Sequence, residues 1–351
     1  MGSKGDEMRE ALPEDREEIR VALLGSGAVA QVVHLPVLSR LPGVRLAAIS
    51  DVDRPKAATI ASRFGVPRVL RNDEEAFASD EIDAIVICTP SHLHEEQAIA
   101  ALEAGKHVMV ERPLALDEAG TERVLAAAEA SGKALMVALN NRYRQDIGAL
   151  LPFLRGGELG QIFYMKGGWL NRKVRTVRPT WRHRKETAGG GVLMDLGTQV
   201  LDLFLWMLDY PAVERVTAFT NPGEGMEVED SAAVVLKVAD GPVLSFEVTW
   251  SLLAQRDRHY LQVLGTHGSG SISPLQVYKE VEHGLLDVTP ELVQAKENPY
   301  TASYREQFDD FLGVIRGDRP LRLPYDQVEL MRLIGLAYRS AEEGREVVVA
   351  E

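Results

Sequence analysis

Residues 189–202 read GGGVLMDLGTQVLD: three glycines, then an apolar run whose strongly polar side chains are Asp195, Gln199 and Asp202. Separations of four and three put those groups on one stripe of a helix. The leucines, Val200, Phe204, Trp206 and Met207 around them imply that most of the helix is buried. Polar groups beside such a core cost free energy unless they meet partners or a ligand. The stripe is therefore read as bordering a cleft, the alternative being the solvent face of an amphipathic helix. Asp195 can exchange a proton there, whereas Gln199 can hold a hydroxyl but can act as neither acid nor base.

A second constellation lies near the N-terminus. Residues 25–30, GSGAVA, have the spacing G-x-G-x-x-A between an apolar strand and a helix. Gly25 permits a tight turn, Gly27 lets a pyrophosphate approach the backbone, and Ala30 allows close packing of helix on sheet. The helix start at Ala28 and Val29 offers free N–H groups to phosphate. Asp51, at the end of the next strand, is placed to bind an adenosine ribose 2′-hydroxyl. A carboxylate there repels a 2′-phosphate, so NAD is expected rather than NADP, with Arg54 nearby as a counter-indication. Two further stretches close later strands, CTPSHLH (88–94) and VMVERPLAL (108–116), at the ends where open parallel sheets bind ligands. Thr89, His94, Glu111 and Arg112, with Asn140 beyond, complete the candidate coenzyme contacts. His92 and His94 are two apart at a helix start and point to different sides, so a cap or coenzyme contact is expected and no metal site.

The elements that must position these residues follow from the periodicity. Between Ile19 and Leu139, short apolar strands (IRVALL, RLAAIS, AIVICT, HVMV, ALMVAL) alternate with helices, the pattern of a parallel sheet covered on both faces. Gly105 and Gly132 fall where helix C-caps belong. After Asn140 the strands lengthen and partly alternate, predicting an α/β domain with a mostly antiparallel sheet and one open face. Helices are expected over 146–155, 193–208, 304–316 and 325–343. The 351 residues, 45% hydrophobic and 26% charged, suit two globular domains. The predicted division is a frayed lead over 1–18, a nucleotide-binding domain over 19–139 and a second domain over 140–351. The net charge of −13 argues against nucleic acid or an anionic membrane as partner. The polar, acidic lead has no secretion-signal pattern and no apolar run is long enough to span a bilayer, so a cytoplasmic location is expected. The single cysteine, Cys88, reads as a buried core thiol.

The ordered landmarks GSGAVA, SDVD, TPSHLHEEQAIAALEAGKHVMVERPLAL, GELGQIFYMKGGW, GGGVLMDLGTQVLD, VEDSAAVVL and LGTHGS resemble the glucose-fructose oxidoreductase, inositol dehydrogenase and MocA family. The resemblance implies a doubly wound Rossmann domain followed by an open-faced α/β domain, with the nicotinamide lying between them. It implies hydride transfer at a carbinol carbon of a small-molecule sugar or polyol, and homo-oligomers, dimers or tetramers, that pair through the open sheet. Two positions depart from the family pattern. The usual Glu-Lys-Pro is Glu111-Arg112-Pro113, and the histidine of the Asp195 helix is Gln199. Arg112 can stabilise a developing alkoxide but, being always protonated in water, cannot give up its proton. The missing base is then Asp195, a substrate group, or a second-domain residue such as Lys166 or Tyr164. The alternative is a non-catalytic NAD-binding sensor. Finally, residues 171–185 carry Arg172, Lys173, Arg175, Arg178, Arg182, Arg184 and Lys185 without an acid. Arg182 and Arg184 are read as holding an anionic substrate, and a solvated loop or an oligomer contact is the alternative.

Overall fold

A computed structural model describes residues 18–173, 180–292 and 297–349. The lead over 1–17, and Arg175 and Arg178 of the basic segment, lie outside the described residues. The chain divides into two compact units. One holds the described residues up to Asn140 together with Tyr300–Gln327, and the other holds Asn141–Pro299 and the chain from Val328 onward.

The first unit is built on β1 (Ile19–Leu24), β2 (Val44–Ser50), β3 (Arg68–Val69), β4 (Ala84–Ile87), β5 (His107–Val110) and β6 (Leu135–Val137). All neighbours are parallel, in the order β3-β2-β1-β4-β5-β6. Every residue of β4, and all but Arg20 in β1, is buried, which is what the continuous apolar runs require of strands covered on both faces. The helices between strands are closed by local chemistry. Asp53 accepts from the Lys56 N–H and Asp117 from the Gly120 N–H, as N-caps do. Gly132 ends the helix Glu118–Ser131 at φ 63°, a conformation that favours glycine.

Late in the chain, Tyr300–Gln327 returns to the first unit. The helix Pro299–Arg316 places Tyr304, Phe308, Phe311, Leu312 and Ile315 in the core formed by β1 and its neighbours. Each such buried side chain is worth roughly 1.5–3 kcal/mol of transfer free energy, so the segment belongs to the unit it packs against. Gln307 Nε2 also donates to the Val137 carbonyl at the end of β6, 2.7 Å away.

The second unit holds a nine-stranded sheet: β7 (Ile162–Arg172), β8 (Val213–Pro222), β9 (Glu229–Val238), β10 (Val243–Leu252), β11 (Arg258–Gly265), β12 (Gly268–Ile272), β13 (Gln276–Val281), β14 (Gly284–Asp287) and β15 (Val347–Val348). Their order is β14-β13-β12-β11-β7-β10-β9-β8-β15, antiparallel except for the β7–β10 pair. Alternation along β9 sends Ala232, Val234, Leu236 and Val238 inward and leaves Ala233 and Val235 exposed. The inward side packs on the helices Gln145–Arg155 and Asp326–Glu343 and on the helical stretch 193–207. The outward side carries exposed Phe219 and Val235 beside polar groups, an open face as expected.

Candidate functional site

The strand order of the first unit reverses direction between β1 and β4, and the GSGAVA turn sits at that switch point. Gly25 has φ 83°, and its N–H donates to the Ser50 carbonyl at 2.8 Å. A Cβ on Gly25 would lie 2.7 Å from the Cys88 carbonyl oxygen and 2.8 Å from the Thr89 nitrogen, so this glycine is demanded by the protein itself. Gly27 is different. A Cβ there would meet nothing within 4 Å, so the fold itself leaves the backbone open at this position, with the room that a pyrophosphate lying against the backbone needs. Ala28 is exposed and Val29 half-buried in the first turn of the following helix.

Asp51 is organised before any ligand arrives. Its Oδ2 accepts from the Ser26 N–H at 2.7 Å and the Ser26 hydroxyl at 2.6 Å, and lies 3.0 Å from Lys56 Nζ; its Oδ1 accepts from the Asp53 N–H at 2.8 Å. Burial alone would raise the carboxyl pKa, but these bonds hold it below the ordinary value, so Asp51 is an ionised acceptor. The ends of β2 and β4 are further tied together through Asp73. Its carboxylate accepts from Ser50 at 2.5 Å and from Gln97 Nε2 at 2.6 Å, and Gln97 in turn accepts from the Thr89 hydroxyl at 2.5 Å. The arrangement fits a dinucleotide: an open glycine for the phosphates and a fixed carboxylate for the ribose.

At the end of β5, Glu111 is buried between His34 and the Arg112 guanidinium. One oxygen accepts from His34 Nε2 at 2.7 Å, the other from Arg112 Nη1 at 2.8 Å. Burial would raise its pKa, but the His34 hydrogen bond and the Arg112 charge hold it down at about 2. Arg112, 18% exposed, is thereby fixed as a donor at the strand end. His34 was not anticipated; it lies on the helix after the glycine turn, its ring edge-on to Tyr304 and Phe308. His94 is fully buried, with Nδ1 2.7 Å from the Pro113 carbonyl and Nε2 3.0 Å from that of Thr89. Burial lowers its pKa, and the neutral ring has a single N–H for the two carbonyls. It ties the two strand-end loops to each other rather than presenting a free nitrogen. Asn140 is likewise buried, donating to the Ser303 hydroxyl at 3.0 Å.

In the second unit the glycines of GGGVLMDLG serve packing. A Cβ on Gly190 would strike the Tyr338 hydroxyl, and one on Gly191 the Glu229 carbonyl. Both approaches exist because Glu229 and Tyr338 hold the helix start. The Glu229 carboxylate accepts from the N–H groups of Gly191 and Leu193 at 3.0 Å and from the Tyr338 hydroxyl at 2.8 Å. Tyr338 also accepts from the Met194 N–H at 3.1 Å. An anion at a helix N-terminus satisfies donors that have no partner within the helix and complements its dipole. The first turn, Leu193–Gly197, is a π-turn, which leads into the α-helix Thr198–Met207. Asp195 is in that wide turn, half-buried.

The three polar positions of the stripe have three different surroundings. Gln199 is 4% exposed; its Nε2 donates to the Asp195 carbonyl at 3.2 Å and its Oε1 accepts from Asn141 Nδ2 at 3.4 Å. Asp202 is not a cleft residue. It is buried in a two-point ion pair with Arg142, at 2.9 and 2.5 Å, and accepts from the Tyr210 hydroxyl. Removing one partner of such a pair costs about 3–5 kcal/mol.

The sheet separates the other candidates from this helix. Gly167 and Phe246, paired across β7 and β10, both meet Phe204 on the helix side. Lys166 and Tyr164 point the opposite way, to the open face, where the Tyr164 hydroxyl lies 2.7 Å from that of Ser245. Neither stands on the side of Asp195 and Gln199. Arg182 and Arg184 are exposed, with the Arg182 guanidinium 4.6 Å over the Trp181 ring.

A helix-covered parallel sheet with a glycine turn at its switch point and an ordered acid at the second strand end defines a dinucleotide-binding protein. More closely, the chain belongs to the glucose-fructose oxidoreductase, inositol dehydrogenase and MocA family: "Oxidoreductase family, NAD-binding Rossmann fold" matches residues 19–139 and "Oxidoreductase family, C-terminal alpha/beta domain" matches 153–349. It is 26% identical over 348 residues to D-glucoside 3-dehydrogenase of Escherichia coli, covering 94% of this chain and 97% of that one. GenD2 from gentamicin A biosynthesis, solved in complex with NAD, superposes with a TM-score of 0.83 at 29% identity, over 95% of this chain and 97% of that one. Levoglucosan dehydrogenase, solved with NADH and L-sorbose, has the same fold, with a TM-score of 0.85 at 23% identity over 95% and 99% of the two chains. Among the described residues no helix is long and apolar enough to cross a membrane.

Proposed function

We propose that the protein is an NAD-dependent dehydrogenase acting on a CH–OH carbon of a sugar-, sugar-acid- or polyol-like compound. The observation that carries the proposal is the contrast at the glycine turn: Gly25 is required by the fold, whereas the space beside Gly27 is open and has room for a phosphate. The family and its sugar- and polyol-acting relatives support the substrate class. NAD, when bound, supplies the hydride acceptor at C4 of its nicotinamide. Gly27 and the helix start at Ala28 and Val29 take the pyrophosphate, and ionised Asp51 takes the ribose diol and disfavours a 2′-phosphate. Arg112, anchored by Glu111, donates to the carbinol oxygen and stabilises negative charge on it. Gln199 orients a hydroxyl, and Asp195 is the titratable group that takes the proton.

Exposed Arg182 and Arg184 suit a phosphorylated or carboxylated variant of the substrate; reversing both charges should raise KM for an anionic compound and leave a neutral one unmoved. The open face, with Phe219 and Val235 exposed, suits pairing with a second copy, which size-exclusion chromatography with light scattering would show. A sensor that binds NAD without turnover is the second reading, favoured by Arg112 and Gln199, neither of which can exchange a proton. The test is NADH formation at 340 nm over a panel of sugars, inositols and sugar acids. Turnover of any compound rejects the sensor; NAD binding without turnover across the panel rejects the dehydrogenase.

A further inference from the structure

Three half-buried rings crowd one end of the second sheet. Trp169 on β7 pairs with Val248 on β10 and with His259 on β11; Trp250 packs against the same core cluster as Val248. Gly167, two residues before Trp169, and Phe246, two before Val248, both meet Phe204. Strand alternation therefore places Trp169 and His259 on the helix side, and core packing places Trp250 there too, at the carboxyl ends of β7 and β10. β9 starts at the same end, with Ser231 opposite Thr249. Its first residue, Glu229, ties down the turn that carries Asp195. The rings and Asp195 thus share one side and one end of the sheet.

His259 is locked there in one protonation form. Arg144 Nη1 lies 2.6 Å from His259 Nδ1, while the same guanidinium makes two bonds to Asp146, at 3.0 and 2.6 Å. A guanidinium only donates, so Nδ1 must be the acceptor and the ring hydrogen must sit on Nε2. Burial, and then the Arg144 charge, bring the His259 pKa down to about 4, which agrees with a neutral ring. Among the described residues Nε2–H has no hydrogen-bond partner, and it is not a buried atom. The ring leans on Trp169, with centroids 4.4 Å apart. A neutral N–H donor whose tautomer is fixed by an Arg–Asp pair, beside an indole surface, is a built recognition element with its outward partner missing.

We propose that His259 is a substrate-contacting, specificity-determining residue: its Nε2–H donates to an oxygen of a cyclic polyol or sugar whose C–H face packs on Trp169. Having no available lone pair, the ring orients the substrate and takes no part in proton transfer. The inference rests on the dehydrogenase reading above. The experiment compares wild type, His259→Phe and His259→Gln with the compound of the panel that wild type turns over best, at saturating NAD. His259→Phe keeps the ring and removes the donor. It should raise KM about fivefold to tenfold, the worth of one hydrogen bond, with kcat within about twofold and the NAD dissociation constant unmoved. His259→Gln, whose amide N–H reaches the same region, should recover at least half of the loss. Wild-type turnover with KM unmoved in both variants overturns the role of His259 alone. A KM rise that His259→Gln does not relieve also overturns it, because lost packing and not a lost donor would then be the cause. Absence of wild-type turnover on every compound counts instead against the dehydrogenase reading.

Discussion

Gly25 and Gly27 are two residues apart in one motif, yet alanine at the two positions should fail in opposite ways. At Gly25 the new Cβ would meet the Cys88 carbonyl oxygen at 2.7 Å and the Thr89 nitrogen at 2.8 Å, both rigid backbone, with φ held at 83°. The left-handed conformation alone costs an alanine roughly 1–2 kcal/mol, and relieving the contacts must shift β1 against β4. We expect Gly25→Ala to lose about 3 kcal/mol or more, within the range known for strain at a special backbone conformation. At Gly27 the Cβ enters open space and the folded apoprotein is indifferent, within about 0.5 kcal/mol. What suffers is the ligand: a methyl group between backbone and pyrophosphate should weaken NAD binding about tenfold to a hundredfold, or about 1.4–2.7 kcal/mol. Urea unfolding of the apoproteins reads the first effect, and calorimetric titration with NAD the second. Wild-type NAD affinity in Gly27→Ala would refute the placement of the pyrophosphate. Wild-type stability in Gly25→Ala would refute the strain argument.

Other consequences follow from the same geometry. Tyr338→Phe removes a hydroxyl bonded to Glu229 and to the Met194 N–H; it should cost about 1–3 kcal/mol and lower kcat through the turn holding Asp195, with NAD affinity unchanged in calorimetry. His107 and His259 both have folded-state pKa values of about 4, below the ordinary 6.5, chiefly through burial. Above pH 6.5 the ring is neutral folded or unfolded. Between 6.5 and 4 the unfolded chain takes the proton and the folded one does not, so stability falls with falling pH by up to about 1.4 kcal/mol per unit for each histidine. Denaturant midpoints at pH 7, 6 and 5 should show this slope, and His107→Asn should flatten it. Restoring titratable groups with Arg112→Lys and Gln199→His together should raise kcat about a hundredfold, the lower end of what acid–base help provides; an unchanged kcat would take both positions away from the reacting carbon.

The fold and the site are legible in the chain where a local pattern meets a single physical demand. IRVALL, but for Arg20, and AIVI are apolar because both sheet faces are covered, and the glycine turn with Asp51 has the spacing of a dinucleotide-binding turn. Legibility stopped wherever a residue's meaning depends on a distant partner. The helix over 299–316 is plainly amphipathic, but its periodicity cannot say which core receives Phe308 and Phe311. Asp195, Gln199 and Asp202 share a helical spacing, yet Arg142, sixty residues before Asp202, decides that Asp202 is buried structure. Alternation along QIFYMKGGWL separates Lys166 from Gly167 without saying which side the helices cover. His34 and Glu229 gave no signal at all, because a histidine on a helix and an acid at the start of a strand are ordinary until Glu111 and the Gly191 N–H are known to face them.

The most direct test of the central claim follows the hydrogen itself. The compound that supports turnover would be prepared with deuterium at its carbinol carbons, incubated with protein and NAD, and the NADH recovered for mass spectrometry. Direct transfer from a CH–OH carbon predicts NADH heavier by one mass unit, with the label on the nicotinamide ring. Unlabelled NADH, formed at the same rate as from the protiated compound, would contradict it.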